Sequence, residues 1–175
     1  MPVLIVFGPM IIHQFLTFLR FKLNVNLWMG FLFFFFFFVT LFDYFDTGLT
    51  LGGLLIGTST ILISHNIPKL YSAKGFGFWM FIGGLLFLLG AFRLFEKESF
   101  ELFYLTVVGL MVYLSVVIKS KALLASTTLS FFAFIAYYTS KFTDSIGWPI
   151  TLIALGVLFI ALSTLILKLS KKYFT

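Results

Sequence analysis

Cutting the chain at its charged residues leaves seven apolar runs, over residues 3–19, 27–42, 47–64, 76–92, 102–118, 122–140 and 147–167. Each is about 15 to 21 residues long, or about 23 to 32 Å as a helix, close to the roughly 30 Å hydrocarbon layer of a bilayer. The second run contains FLFFFFFF at residues 31–38. That stretch follows neither the two-residue period of a half-buried strand nor the 3.6-residue period of an amphipathic helix, so it is apolar on every face. A helix in lipid satisfies its backbone internally and leaves every ring among tails or neighbouring helices. The pattern predicts an all-α integral membrane protein, a single transmembrane domain over residues 1–175 built as a bundle of six or seven transmembrane helices with short loops. The repetition of Phe is read as composition rather than as a site.

The first run decides between six and seven. Gly8, Pro9, His13, Gln14 and Thr17 interrupt it, with Pro9, His13 and Thr17 four residues apart on one face. As a span it gives seven helices with the N-terminus outside. As a helix lying in the interface it gives six, with both ends inside. It lacks the basic start and small-residue cleavage site of a signal peptide.

Composition agrees with lipid: 61% of residues are apolar and 21% aromatic, and only 10% are charged, against roughly 25% in a soluble domain. Cysteine is absent, which removes disulfides, thiolate catalysis and thiolate metal ligands. The net charge of +6 does not point to nucleic acid, because the basic residues stand singly between apolar runs; their placement reports orientation. Arg20, Lys22, Lys69, Lys74, Lys119, Lys121, Lys168, Lys171 and Lys172 follow the odd-numbered runs, with no acid among them. Asp43, Asp46, Glu96, Glu98, Glu101 and Asp144 all follow the even-numbered runs, with Arg93, Lys97 and Lys141. The enrichment of cytoplasmic loops in Lys and Arg puts the first set and the C-terminus inside.

Trp28, Tyr44, Tyr71, Trp79 and Trp148 sit near run ends, where amphipathic rings favour the headgroup zone. Pro68 and Gly75 are expected to break the chain between the third and fourth runs. Lys119-Ser120-Lys121 reads as a hairpin of about three residues, which forces antiparallel neighbours. Asp144 or Ser145 is expected to cap the last helix ahead of Pro149.

Candidate chemistry is sparse. Gly48 and Gly52, then Gly53 and Gly57, repeat the spacing that lets membrane helices approach closely, and Ala122, Ser126 and Ser130 repeat it on the sixth run. Packing within the chain is the plain reading, a homodimer face the second, and the third and sixth helices are the expected partners in a slightly polar seam. Hydroxyls there either line a path or bond back to their own preceding turn. His13 and Gln14 form a candidate polar site at membrane depth, weighed against a structural hydrogen bond. Asp46-Thr47-Gly48 matches the tripeptide of aspartic proteases, but it is one copy beside a helix end and reads as a cap. His65 sits at the end of the third run, opposite to every acid, so no metal cluster is expected within one chain. Gly75-Phe76-Gly77-Phe78 lacks the third glycine and the Lys-Ser pair of a phosphate loop. Runs two to seven hold no ionisable residue, which argues against an ion-coupled transporter.

The stretch from Phe142 through Asp144-Ser-Ile-Gly-Trp148-Pro149 to Gly156, followed by an apolar helix and a basic tail, resembles the C-terminal end of bacterial multi-pass membrane proteins whose last helix opens with Asp-Ser-x-Gly-Trp-Pro. The resemblance covers about a fifth of the chain. It implies a bacterial inner membrane and brings no activity. The Phe-rich composition departs from the Leu- and Ala-rich norm of those proteins, which keeps an organellar inner membrane as the second reading. The expected function is non-enzymatic, a structural or accessory subunit or regulator of a membrane complex, without a cofactor. Its partners are the lipid bilayer and other membrane subunits or further copies of itself. The alternative is a small channel or transporter for a neutral or lipophilic solute.

Overall fold

The computed structural model describes residues 2–45, 48–71, 75–96 and 103–146, with the single positions 153, 157, 164 and 168. The described residues form six α-helices and no strand: α1 (Pro2–Phe21), α2 (Asn24–Tyr44), α3 (Gly48–Tyr71), α4 (Phe76–Phe95), α5 (Phe103–Ile118) and α6 (Lys121–Ile146). Five of them, all but α5, are long and apolar enough to cross a membrane, which marks the chain as an integral membrane protein. The 16-residue α5 spans about 24 Å, short of the roughly 30 Å hydrocarbon layer. Most of the expected run over 147–167 lies outside the described residues.

Two boundaries differ from the expectation. Pro68 does not end α3, which continues to Tyr71; helices in lipid tolerate an internal proline because neighbouring groups and local adjustments re-satisfy the freed carbonyl. Asp144 and Ser145 belong to the last turns of α6, so neither stands at the N-cap of a following helix. Asp46 and Thr47 lie outside the described residues.

The chain divides into two compact units, Met1–Glu101 and Leu102–Thr175. In the first, α1 pairs with α2 and α3 with α4, and α2 joins the pairs through α3. Contacts run in opposite sequence directions along each pair. Phe7 meets Phe33 while Gln14 meets Gly30, and Gly53 meets Gly90 while Thr60 meets Gly83. The two helices of each pair are therefore antiparallel. One end of the unit is closed by Phe18, Leu27, Phe31, Ile67, Phe76 and Trp79, all buried. Trp79 lies 5.3 Å from Phe31 and 5.5 Å from Trp28, ring centre to ring centre. Burying large rings at 4.5 to 7 Å adds about 0.5–1.5 kcal/mol per pair beyond area alone. Gly75 turns the chain into α4 at this end with φ +88, and a Cβ there would sit 3.1 Å from Trp28 Nε1. The left-handed backbone and the close indole together favour glycine here.

The tight turns use lysine in that same left-handed region: Lys22 at φ 51 and Lys119 at φ 57. The second turn shows how two residues suffice. The Ser120 amide donates to the Ser115 carbonyl at 2.9 Å and the Lys119 amide to Val116 at 3.1 Å, a Schellman ending for α5. The Ser120 hydroxyl accepts the Leu123 amide at 3.2 Å, which caps α6. In this second unit the Tyr104 ring of α5 packs 5.0 Å from Phe134 of α6.

Candidate functional site

The α3–α4 seam is the closest helix contact in the first unit, and glycine makes it. A Cβ built on Gly53 would lie 2.9 Å from the Leu86 carbonyl oxygen and 3.1 Å from Gly90 Cα. One on Gly57 would fall on the Phe87 amide nitrogen, with the Gly83 carbonyl oxygen at 2.8 Å. From the other side, Gly90 faces the Leu54 amide and Thr50 carbonyl, and Gly83 faces Thr60 and Ile61. Backbone lies on backbone, the geometry that small residues permit in lipid. The close approach that Gly53 and Gly57 announce is made with α4. The glycines of α4 escaped sequence reading because Gly83 and Gly90 stand seven apart; their signal was the heptad interval, two turns along one face.

Gly52 points differently, toward α2, where a Cβ would meet the Phe42 ring at 3.4 Å. Gly48 opens α3 at φ +70 with nothing near it. Between these glycines, α2 and α4 lies a half-open cavity of ≈ 440 Å³. Val39, Phe42, Ile56, Leu86 and Leu89 form its apolar walls, Gly48, Gly52 and Gly53 its narrow side, and Thr40 and Asp43 bring polar side chains to it. It sits at the end of the unit opposite the Trp79 cluster. Sequence reading passed over Thr40 and Asp43 because each looks like an ordinary helix-end residue.

Charge is segregated along the same axis. Arg20, Lys22 and Lys69 belong to the closed end, and Lys69 Nζ donates to His65 Nε2 at 2.7 Å. Asp43 belongs to the open end, as does Arg93, whose guanidinium is 3.4 Å from Glu96. Among the described residues no three His, Asp or Glu side chains converge.

The other sequence candidates separate. His13 lies on the exposed side of α1, while Gln14 is half-buried against Gly30 of α2. The structure does not bring the two into one polar site. On α6, Ala122 is half-buried and Ser126 fully buried. The Ser126 and Thr127 hydroxyls both donate to the Leu123 carbonyl, at 2.9 and 2.8 Å, and Thr128 donates to Leu124 at 2.8 Å. Ser130 is half-buried on the same helix. The Ser126, Thr127 and Thr128 hydroxyls are therefore occupied within α6. Among the described residues, two buried polar atoms have no partner, Ser64 Oγ and Trp79 Nε1, in α3 and α4.

No protein-family model matches the chain, and no curated protein or solved structure is similar to it.

Proposed function

We propose that this chain is a structural or accessory subunit, or a regulator, of a membrane complex. The observation that carries the reading is the outer face of α1. Only 6% of Leu4–Phe21 is buried, against 39% of Thr50–Leu70 and of Phe76–Phe95. Ile5, Val6, Ile12, Leu16 and Leu19 stand exposed along that helix, a surface for lipid and for another subunit or a second copy. The bundle has six or seven spans in a bacterial inner membrane, with the C-terminus cytoplasmic; an organellar inner membrane is the second setting. The segregation of Arg20, Lys22 and Lys69 from Asp43 supports this orientation.

Site-specific photo-crosslinkers at Ile12 and Leu16, activated in native membranes, test the subunit role. Protein adducts of discrete mass are expected. Adducts to lipid alone, with a monomer after mild solubilisation, would remove it. A reporter fused after Lys172 is expected to read cytoplasmic and one near Glu98 external; the same side for both would overturn the orientation. The half-open cavity favours a second reading, a channel or transporter for a neutral or lipophilic solute, which solute flux into proteoliposomes would establish.

A further inference from the structure

The cavity between α2, α3 and α4 has one-sided chemistry. Among the described residues that line it, Thr40 and Asp43 carry side-chain oxygen, three residues apart and so on one face of α2. The Thr40 hydroxyl donates its proton to the Phe36 carbonyl at 2.8 Å, which leaves that oxygen only lone pairs to offer. An ionised aspartate also accepts and does not donate. Both lie near the C-terminal end of α2, where the helix dipole adds partial negative charge, and the last turn of α2 carries no basic residue. At the same end of the unit, Arg93 is engaged by Glu96 and is not among the residues lining the cavity.

We propose that this cavity binds a single-chain amphiphile with a primary-ammonium head. The chain lies against Phe42, Ile56 and Leu86, and the ammonium donates to Asp43 and Thr40. The volume of ≈ 440 Å³ falls within the range of small-molecule sites, which are mostly apolar with a few placed polar groups. Charge-assisted N–H···O bonds select the ammonium over an alcohol or carboxylate on the same chain. The competing feature is the start of α3. Gly48 borders the cavity, and first-turn amides of a helix attract anions. The inference stands apart from the subunit role, since a chain with or without partners can hold such a ligand.

The test uses the full chain in phosphatidylcholine nanodiscs, photolabelled by a diazirine-bearing decylamine and read by peptide mass spectrometry. Decylamine, decanol and decanoate compete in parallel. Labelling is expected on peptides spanning residues 39–56, with decylamine effective at about tenfold lower concentration than decanol and decanoate weakest, as a charge-assisted bond implies. Asp43→Asn should remove most of the amine's advantage. Val39→Trp, which adds bulk at an exposed wall position, should reduce labelling altogether. Equal competition by the three chains would identify a groove for lipid tails, and preference for decanoate would identify the α3 amides as the determinant. Either result overturns the proposal, as does amine preference unchanged in Asp43→Asn. The competition order of the unmodified chain decides by itself if a variant fails to fold.

Discussion

Replacing Gly57 by alanine tests the α3–α4 seam with a single methyl group. The added carbon falls on the Phe87 amide nitrogen, with Phe87 Cα at 2.7 Å and the Gly83 carbonyl oxygen at 2.8 Å. Carbon atoms in ordinary contact stand about 3.5–4.0 Å apart, so the two helices have to part by about 1 Å. Every obstructing atom is backbone, and no rotamer can absorb the strain. Overpacking of this kind costs about 1–3 kcal/mol. Alanine returns up to about 1 kcal/mol of helix propensity over glycine, so the expected net loss is about 1–2 kcal/mol. Gly109, in the middle of α5, has no atom within 4 Å of its built Cβ, so the same substitution there should gain up to about 1 kcal/mol. The assay is reversible unfolding in mixed micelles followed by circular dichroism, each variant against the unmodified chain. If Gly57→Ala and Gly109→Ala shift stability equally, α3 and α4 do not meet at backbone distance.

Ser64→Ala should raise stability by about 1 kcal/mol, because it removes a buried hydroxyl that has no partner; a loss in the same unfolding assay would reveal a bond to that oxygen. At the α5–α6 turn, Lys119→Gly is expected to be neutral or stabilising and Lys119→Val to cost about 1–2 kcal/mol, since a β-branched residue is strained at positive φ. Equal stabilities for those two variants would contradict the left-handed turn. Ser120→Ala should lose about 1 kcal/mol with its cap, and an unchanged melting temperature would argue that the α6 N-terminus is satisfied otherwise.

Five long apolar helices were legible in the sequence because lipid imposes one simple requirement, a long apolar stretch free of charge, and the charged residues mark where each stretch stops. Pro68 was misleading because a local rule learned from helices in water gives way where the apolar environment favours continued helix. The partners of the helices were less legible. Gly53 and Gly57 announce a close approach but not with whom, and the answer depends on Gly83 and Gly90 occupying the facing helix at matching height. The Phe run carried no hint that Phe31 turns inward to Trp79 while Phe36 stays exposed, because identical residues erase the pattern that would assign faces. The cavity was invisible, being a property of spacing among three helices rather than of any motif.

The glycine seam also makes the first unit mechanically uneven. Backbone against backbone has no side-chain torsions with which to adjust, so α3 and α4 hold together or separate, and they behave as one stiff plank. The α1–α2 pair meets through rings, such as Phe7 on Phe33 and Phe36, and rings can tilt and slide past one another at little cost. Because the cavity is bounded by the plank on one side and α2 on the other, α2 is its compliant wall. Lateral pressure in the bilayer, or a neighbour leaning on α1, is therefore expected to change the width of the cavity before it disturbs the seam.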